Sequence, residues 1–169
     1  LKPYLLAAMF GCGKAVGASG AILAMNSSSF FQSVIQNAKG FMFSTAVSPF
    51  VTGAVFAALQ IIFNEEGNIR REKLYHNISY FSACLLESKL TKNSRIFQTP
   101  IIPFIVGDNS VALSLSKQLM QKKLFVKCMR SPSVPKNTAR LRITLRSELS
   151  LIHIDHLVKF LAEAVSSGN

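Results

Sequence analysis

Gly11-Cys12-Gly13-Lys14-Ala15-Val16-Gly17-Ala18-Ser19-Gly20-Ala21 sets a lysine in a glycine-rich run between two apolar segments, residues 5–10 and 20–25. Its glycines permit tight turns and close backbone approach, so the run reads as a loop between two short strands. It is not a phosphate-binding P-loop, because Ala8 and Ala15 stand where that motif needs Gly and Ser or Thr. It is not a dinucleotide fingerprint, because Val16 takes a required glycine position. On spacing alone, Lys14 is a surface-turn lysine. The functional alternative is an amine desolvated by apolar, small-residue surroundings, partly neutral and able to attack an aldehyde.

Working outward, residues 28–38 read as a helix followed by Gly40. Ser48-Pro49 is a helix start, an N-cap followed by proline at the first helical position. That helix runs to about Phe63. Val51, Val55, Ala58, Leu59 and Ile62 keep helical spacing and the other face is nearly as apolar, which predicts a buried helix. Residues 64–68 form a polar break, the expected boundary between a domain of residues 1–66 and one of residues 67–169. A helix over 69–88 carries the stripe Leu74, Ile78, Phe81 and Leu85. The pattern then becomes strand, helix, strand, strand, helix. Pro100 and Pro103 put the strand at 99–106 on an edge or delay its start. Gly107-Asp108-Asn109 caps a helix over 110–122, and 124–129 is a strand. Residues 139–145 alternate, with Leu141, Ile143 and Leu145 on one face and Arg140, Arg142 and Thr144 on the other. A last helix over 151–166 buries Ile154, Leu157, Val158, Leu161 and Val165. The class is α/β.

Lys and Arg number 19 against 8 Asp and Glu among 169 residues, a net charge of +11. The basic residues are scattered, without a block or an aromatic-interleaved stripe, which argues against a nucleic-acid partner. Anionic substrates and cofactors account for part of the charge. Cys12, Cys84 and Cys128 are odd in number and widely spaced. They suggest neither zinc nor disulfides, and they fit a reduced, cytoplasmic compartment. His153 and His156 read as surface histidines near a helix start, with no metal site. Lys2 and the apolar run behind it imitate a signal peptide, but the run is too short to span a membrane. With Leu in first place, the chain reads as one whose true N-terminus is missing.

Gly13-Lys14-Ala15-x-Gly17-x-Ser19-Gly20-Ala21 resembles the G-K-(A/G)-x-G-x-x-G-(A/G) signature of the α-oxoamine synthases, fold-type-I pyridoxal phosphate enzymes. Further matches follow in order. Phe43-Ser44-Thr45 before Pro49 resembles the family's loop ahead of its long helix. Pro103-x-Ile105-Val106-Gly107-Asp108-Asn109 resembles its small-domain strand and turn. The run from Arg130-Ser131-Pro132-Ser133-Val134-Pro135 to Thr138-Ala139-Arg140-Leu141-Arg142 resembles its final active-site segment.

The resemblance implies the C-terminal part of such an enzyme: a remnant of the large cofactor domain with its interdomain helix, then a small α+β domain. Lys14 would carry pyridoxal phosphate as a Schiff base. Gly11 stands where the family has a phosphate-touching Thr or Ser and would offer only its backbone N–H. Ser44 and Thr45 would reach the phosphate of a neighbouring subunit, which implies a homodimer. Arg142 would bind the amino-acid carboxylate, and Ser133 and Arg130 would contact substrate, while Arg140 is structural. The Gly-Asp-Asn turn and Arg130 resemble the branch that condenses L-alanine with pimeloyl-CoA or a pimeloyl carrier protein. Glycine C-acetyltransferases are a second branch, and a non-catalytic remnant is a third reading. The family's ring-stacking aromatic, its Asp for the pyridine nitrogen and its glycine-rich phosphate contacts lie upstream of its lysine and are absent here. These residues alone are therefore expected to be inactive, and the apolar stretch 5–63 to favour aggregation.

Overall fold

The computed structural model describes residues 3–90 and 97–166. Lys2, the basic residue of the apolar start, lies outside them. The chain divides into two compact units, Leu1–Asn68 and Ile69–Asn169.

In the first unit, β1 (Ala7–Gly11) and β2 (Ala21–Met25) form an antiparallel hairpin with Ala7 opposite Met25 and Gly11 opposite Ala21. Asn26 fastens its open end, donating from Nδ2 to the Leu5 carbonyl at 2.8 Å. Helix α1 (Ser28–Asn37) is capped by Ser27, whose hydroxyl accepts from the Phe30 N–H at 3.2 Å. A short α2 (Lys39–Met42) precedes α3 (Pro49–Phe63).

Two expectations fail at α3. Ser48 holds the N-cap position, but its hydroxyl makes no capping bond. Nor is α3 buried: Phe50 and Phe63 are 90% and 82% exposed. A helix apolar all round needs cover on every side, and the described residues do not supply it. The polar break at 64–68 also shrinks to Asn64, because α4 (Glu65–Glu87) starts at once. Asn64 accepts the Gly67 N–H on Oδ1 at 3.1 Å, which caps the new helix. Gly67 is no breaker. A Cβ there would lie 2.3 Å from the Ile61 carbonyl oxygen, so glycine is needed for close approach.

In the second unit, β3 (Ile101–Gly107), β4 (Lys127–Met129) and β5 (Ala139–Thr144) form an antiparallel sheet in the order β3-β5-β4. β3 is an edge strand beginning after Pro100, as its prolines predict. Helices α5 (Asn109–Gln121) and α6 (Leu151–Ser166) complete the unit. Its core joins Ile78, Phe81 and Leu85 to Ile102, Leu119, Leu141, Ile143, Ile154 and Leu161. The alternation of β5 holds, with Leu141 and Ile143 buried and Arg142 and Thr144 exposed. Val165 is a correction, at 44% exposure. So is β4, which is shorter than 124–129. The Leu124 N–H turns back to the Leu119 carbonyl (2.9 Å), and the Val126 carbonyl accepts the Ser116 hydroxyl (2.6 Å). Buried Asn77 donates from Nδ2 to the carbonyls of Arg146 and Leu149, both at 3.0 Å, and so ties the β5–α6 link to α4. Among the described residues, no helix is long and apolar enough to cross a membrane.

Candidate functional site

The candidate residues fall into two groups, one in each unit. Lys14 lies in the β1–β2 loop. Three backbone bonds hold that loop: Cys12 N–H to Gly20 O at 2.9 Å, Ala18 N–H to Cys12 O at 3.0 Å, and Gly17 N–H to Lys14 O at 3.0 Å. Gly17 and Gly20 take φ of +69 and +93, which a side chain would resist. The buried Cys12 thiol plugs the loop's base, donating to the Phe10 carbonyl. The glycine-rich sequence thus builds a fixed loop that carries an amine. The expected desolvation is absent, however, because Lys14 is exposed. Nothing lies within 4 Å of a Cβ built on Gly11, so packing does not exclude a side chain there. Ser44 and Thr45 follow α2, both exposed, with the Ser44 hydroxyl donating to the Gly40 carbonyl.

In the second unit, Arg130 and Ser133 share the turn after β4, while Arg142 lies on β5 at the far end of the β4–β5 ladder. The Ser133 N–H donates to the Arg130 carbonyl at 2.9 Å, closing a turn around the cis Ser131–Pro132 peptide. In register, Met129 faces Arg140 and Lys127 faces Arg142. Arg130 therefore follows directly on the pair that holds Arg140. Arg142 is exposed on the central strand. Arg140 is half-buried, and its Nε donates to the Thr138 carbonyl at 2.9 Å, which suits a structural role.

The Gly-Asp-Asn turn has a local explanation. Gly107 takes φ +96, and Asp108 caps α5 by accepting the N–H groups of Ser110 (2.8 Å) and Val111 (3.0 Å). The Ser110 hydroxyl, then these N–H groups, hold the Asp108 carboxyl below the usual range. On α4, Tyr80 donates to Asp155 Oδ1 at 2.7 Å, and that bond is the main reason its pKa is pushed up to about 12. Burial pushes the neighbouring Cys84 thiol up as well. Sequence reading passed over a further group, Lys122, Lys123 and Lys159, which lines a cleft with His153 and His156. These residues sit on two elements some thirty positions apart, so no local motif marks them.

The chain matches the family described as aminotransferase class I and II over residues 2–161. It is 38% identical, over 97% of its length, to an 8-amino-7-oxononanoate synthase of Pseudescherichia vulneris, of which it covers 41%. Its fold matches the crystal structure of the Francisella tularensis 8-amino-7-oxononanoate synthase with a TM-score of 0.80 and 25% identity, covering 96% of this chain and 46% of that one. It also matches a Sphingomonas wittichii serine palmitoyltransferase, TM-score 0.84 at 20% identity, covering 96% of this chain and 40% of that one. The chain thus spans less than half the length of these relatives.

Proposed function

The chain belongs to the aminotransferase class I and II family, and from that premise we propose that it is part of a pyridoxal-phosphate-dependent C-acyltransferase of the 8-amino-7-oxononanoate synthase type. The complete protein joins L-alanine to pimeloyl-CoA, or to a pimeloyl carrier protein, with loss of carbon dioxide, a step of biotin biosynthesis. The observation that carries this reading is the 38% identity over 97% of the chain. Residues 1–66 are then the end of the large domain, with α3 as its interdomain helix, and 67–169 are the small domain. The donor set suits the cofactor: an exposed primary amine at Lys14 for its aldehyde, and exposed hydroxyls at Ser44 and Thr45 for its phosphate.

When bound, pyridoxal phosphate supplies an electron sink for the pair left on the amino-acid α-carbon. Lys14 holds it through Nζ, with Gly11 offering a backbone N–H nearby. The Lys14 amine would take the α-proton of alanine as a general base. Arg142 receives the alanine carboxylate in a two-point fork. Ser133 presents a hydroxyl and Arg130 a cation to the substrate. Ser44 and Thr45 serve the neighbouring subunit's cofactor, so the working unit is a cytoplasmic homodimer.

Borohydride reduction of the complete protein with pyridoxal phosphate should leave a pyridoxyl group on Lys14, read by peptide mass and absent from Lys14→Ala. L-alanine with pimeloyl-CoA should release coenzyme A. Faster release from glycine with acetyl-CoA would move the chain to the glycine C-acetyltransferase branch. An unlabelled Lys14 and no turnover would leave the non-catalytic reading.

A further inference from the structure

The chain leaving α5 opens a cleft in the second unit. Lys123 takes φ +62, and its neighbour Leu124 bonds back to α5, so residues 124–126 stay out of the ladder with β5. The space left is about 600 Å³, walled by Leu124, Phe125, Val126, Ile143, Leu145 and Leu157. A second cleft of about 650 Å³ adjoins it, sharing Lys123, Leu124 and His153 and adding Lys122, His156 and Lys159. Both volumes fall in the range of small-molecule sites, about 300–1,000 Å³.

One end of this joined cleft is mainly apolar, although Thr144 and Arg146 also line it, and the other is cationic. Its carboxylates are few. Glu163 lines the cationic end, and Glu148, at the apolar end, faces Arg70 at 3.6 Å. Among the described residues, no ion pair engages Lys122, Lys123 or Lys159. The partial negative charge at the end of α5 is reason enough for Lys122 and Lys123. It does not explain His156 and Lys159, which α6 contributes one turn apart on the facing side, beside His153, whose Nδ1 lies 2.7 Å from the Ser150 hydroxyl.

We propose that this cleft, whose lining includes neither Lys14 nor Arg142, binds a single-chain amphiphile. The apolar tail lies along Leu124, Val126 and Leu157. A carboxylate or phosphate head sits among Lys123, Lys159 and the two histidines. Burial of the tail supplies affinity, and the cations fix its direction in the cleft.

Calorimetric titration of the complete protein with octanoate, octyl phosphate, acetate and inorganic phosphate tests this. Octanoate or octyl phosphate should bind at least about tenfold tighter than the matching tailless head group, acetate or inorganic phosphate. The tighter of the two identifies the head group. Lys123→Glu with Lys159→Glu, both surface changes, should weaken that binding about tenfold. Arg142→Ala should leave it unchanged. The proposal is overturned if the tail adds no affinity, if the double charge reversal has no effect, or if the loss follows Arg142→Ala instead.

Discussion

At the scale of single residues, the sharpest case is Gly67, where backbone oxygen lies 2.3 Å from the place of a Cβ. Gly67→Ala should destabilise the fold by about 2 kcal/mol, as overpacking does, measured by urea unfolding. Sequence reading placed this glycine in a polar break between domains. Whether a glycine serves a turn or a close approach depends on what packs against it, which its neighbours in sequence do not reveal. Gly11 is the opposite case, with open space around its missing Cβ. Gly11→Ser should tighten pyridoxal phosphate about tenfold, by one hydrogen bond to a charged group, read by absorbance titration of the complete protein. The loop that carries Lys14 was legible through its glycines. Its exposure was not, because burial is decided by chain distant in sequence. Asp108 sets an acid limit. Its carboxyl is held below the ordinary 3.8, so the ionised cap stabilises α5 above that value and the contribution fades as pH falls through the lowered one. Asp108→Asn should flatten that part of the acid unfolding curve. Tyr80 should ionise near 12 in a phenolate absorbance titration, and Asp155→Asn should bring it back toward 10.0.

At the scale of elements, periodicity succeeded where one face meets a core within the same unit. The strict alternation of β5 and the stripe Ile78, Phe81, Leu85 on α4 are both seen as read. It misled where the composition was apolar all round, as in α3, because no preferred face could be identified. It also overran β4, whose first residues are drawn back onto α5 by bonds that no strand pattern encodes. The β5–α6 link was not legible at all, since Asn77 reaches it across some seventy residues. Asn77→Ala would leave two carbonyls without their donor and should lower stability by about 2 kcal/mol. The change should appear as faster amide exchange across 146–150.

At the scale of the whole molecule, the two units differ in how they treat apolar surface. The second closes a core over its sheet. The first leaves Phe10, Phe41, Phe43, Phe50, Phe56 and Phe63 exposed. Exposed apolar surface of this extent drives association. The isolated 169-residue chain should scatter light at micromolar concentration, and Phe50→Ser with Phe63→Ser should reduce the scattering. The family signature was legible because its motifs are local. Which faces lie bare was not, because that depends on the layers packed over them. The sheet of the second unit carries its own protection. β3 lies at an edge, with Ile101 and Ile105 exposed on either side of Pro103. Proline has no N–H to offer an incoming strand. Pro103 thus works as a stop on fibril growth, and Pro103→Val should let the sheet extend from molecule to molecule and raise thioflavin fluorescence on ageing.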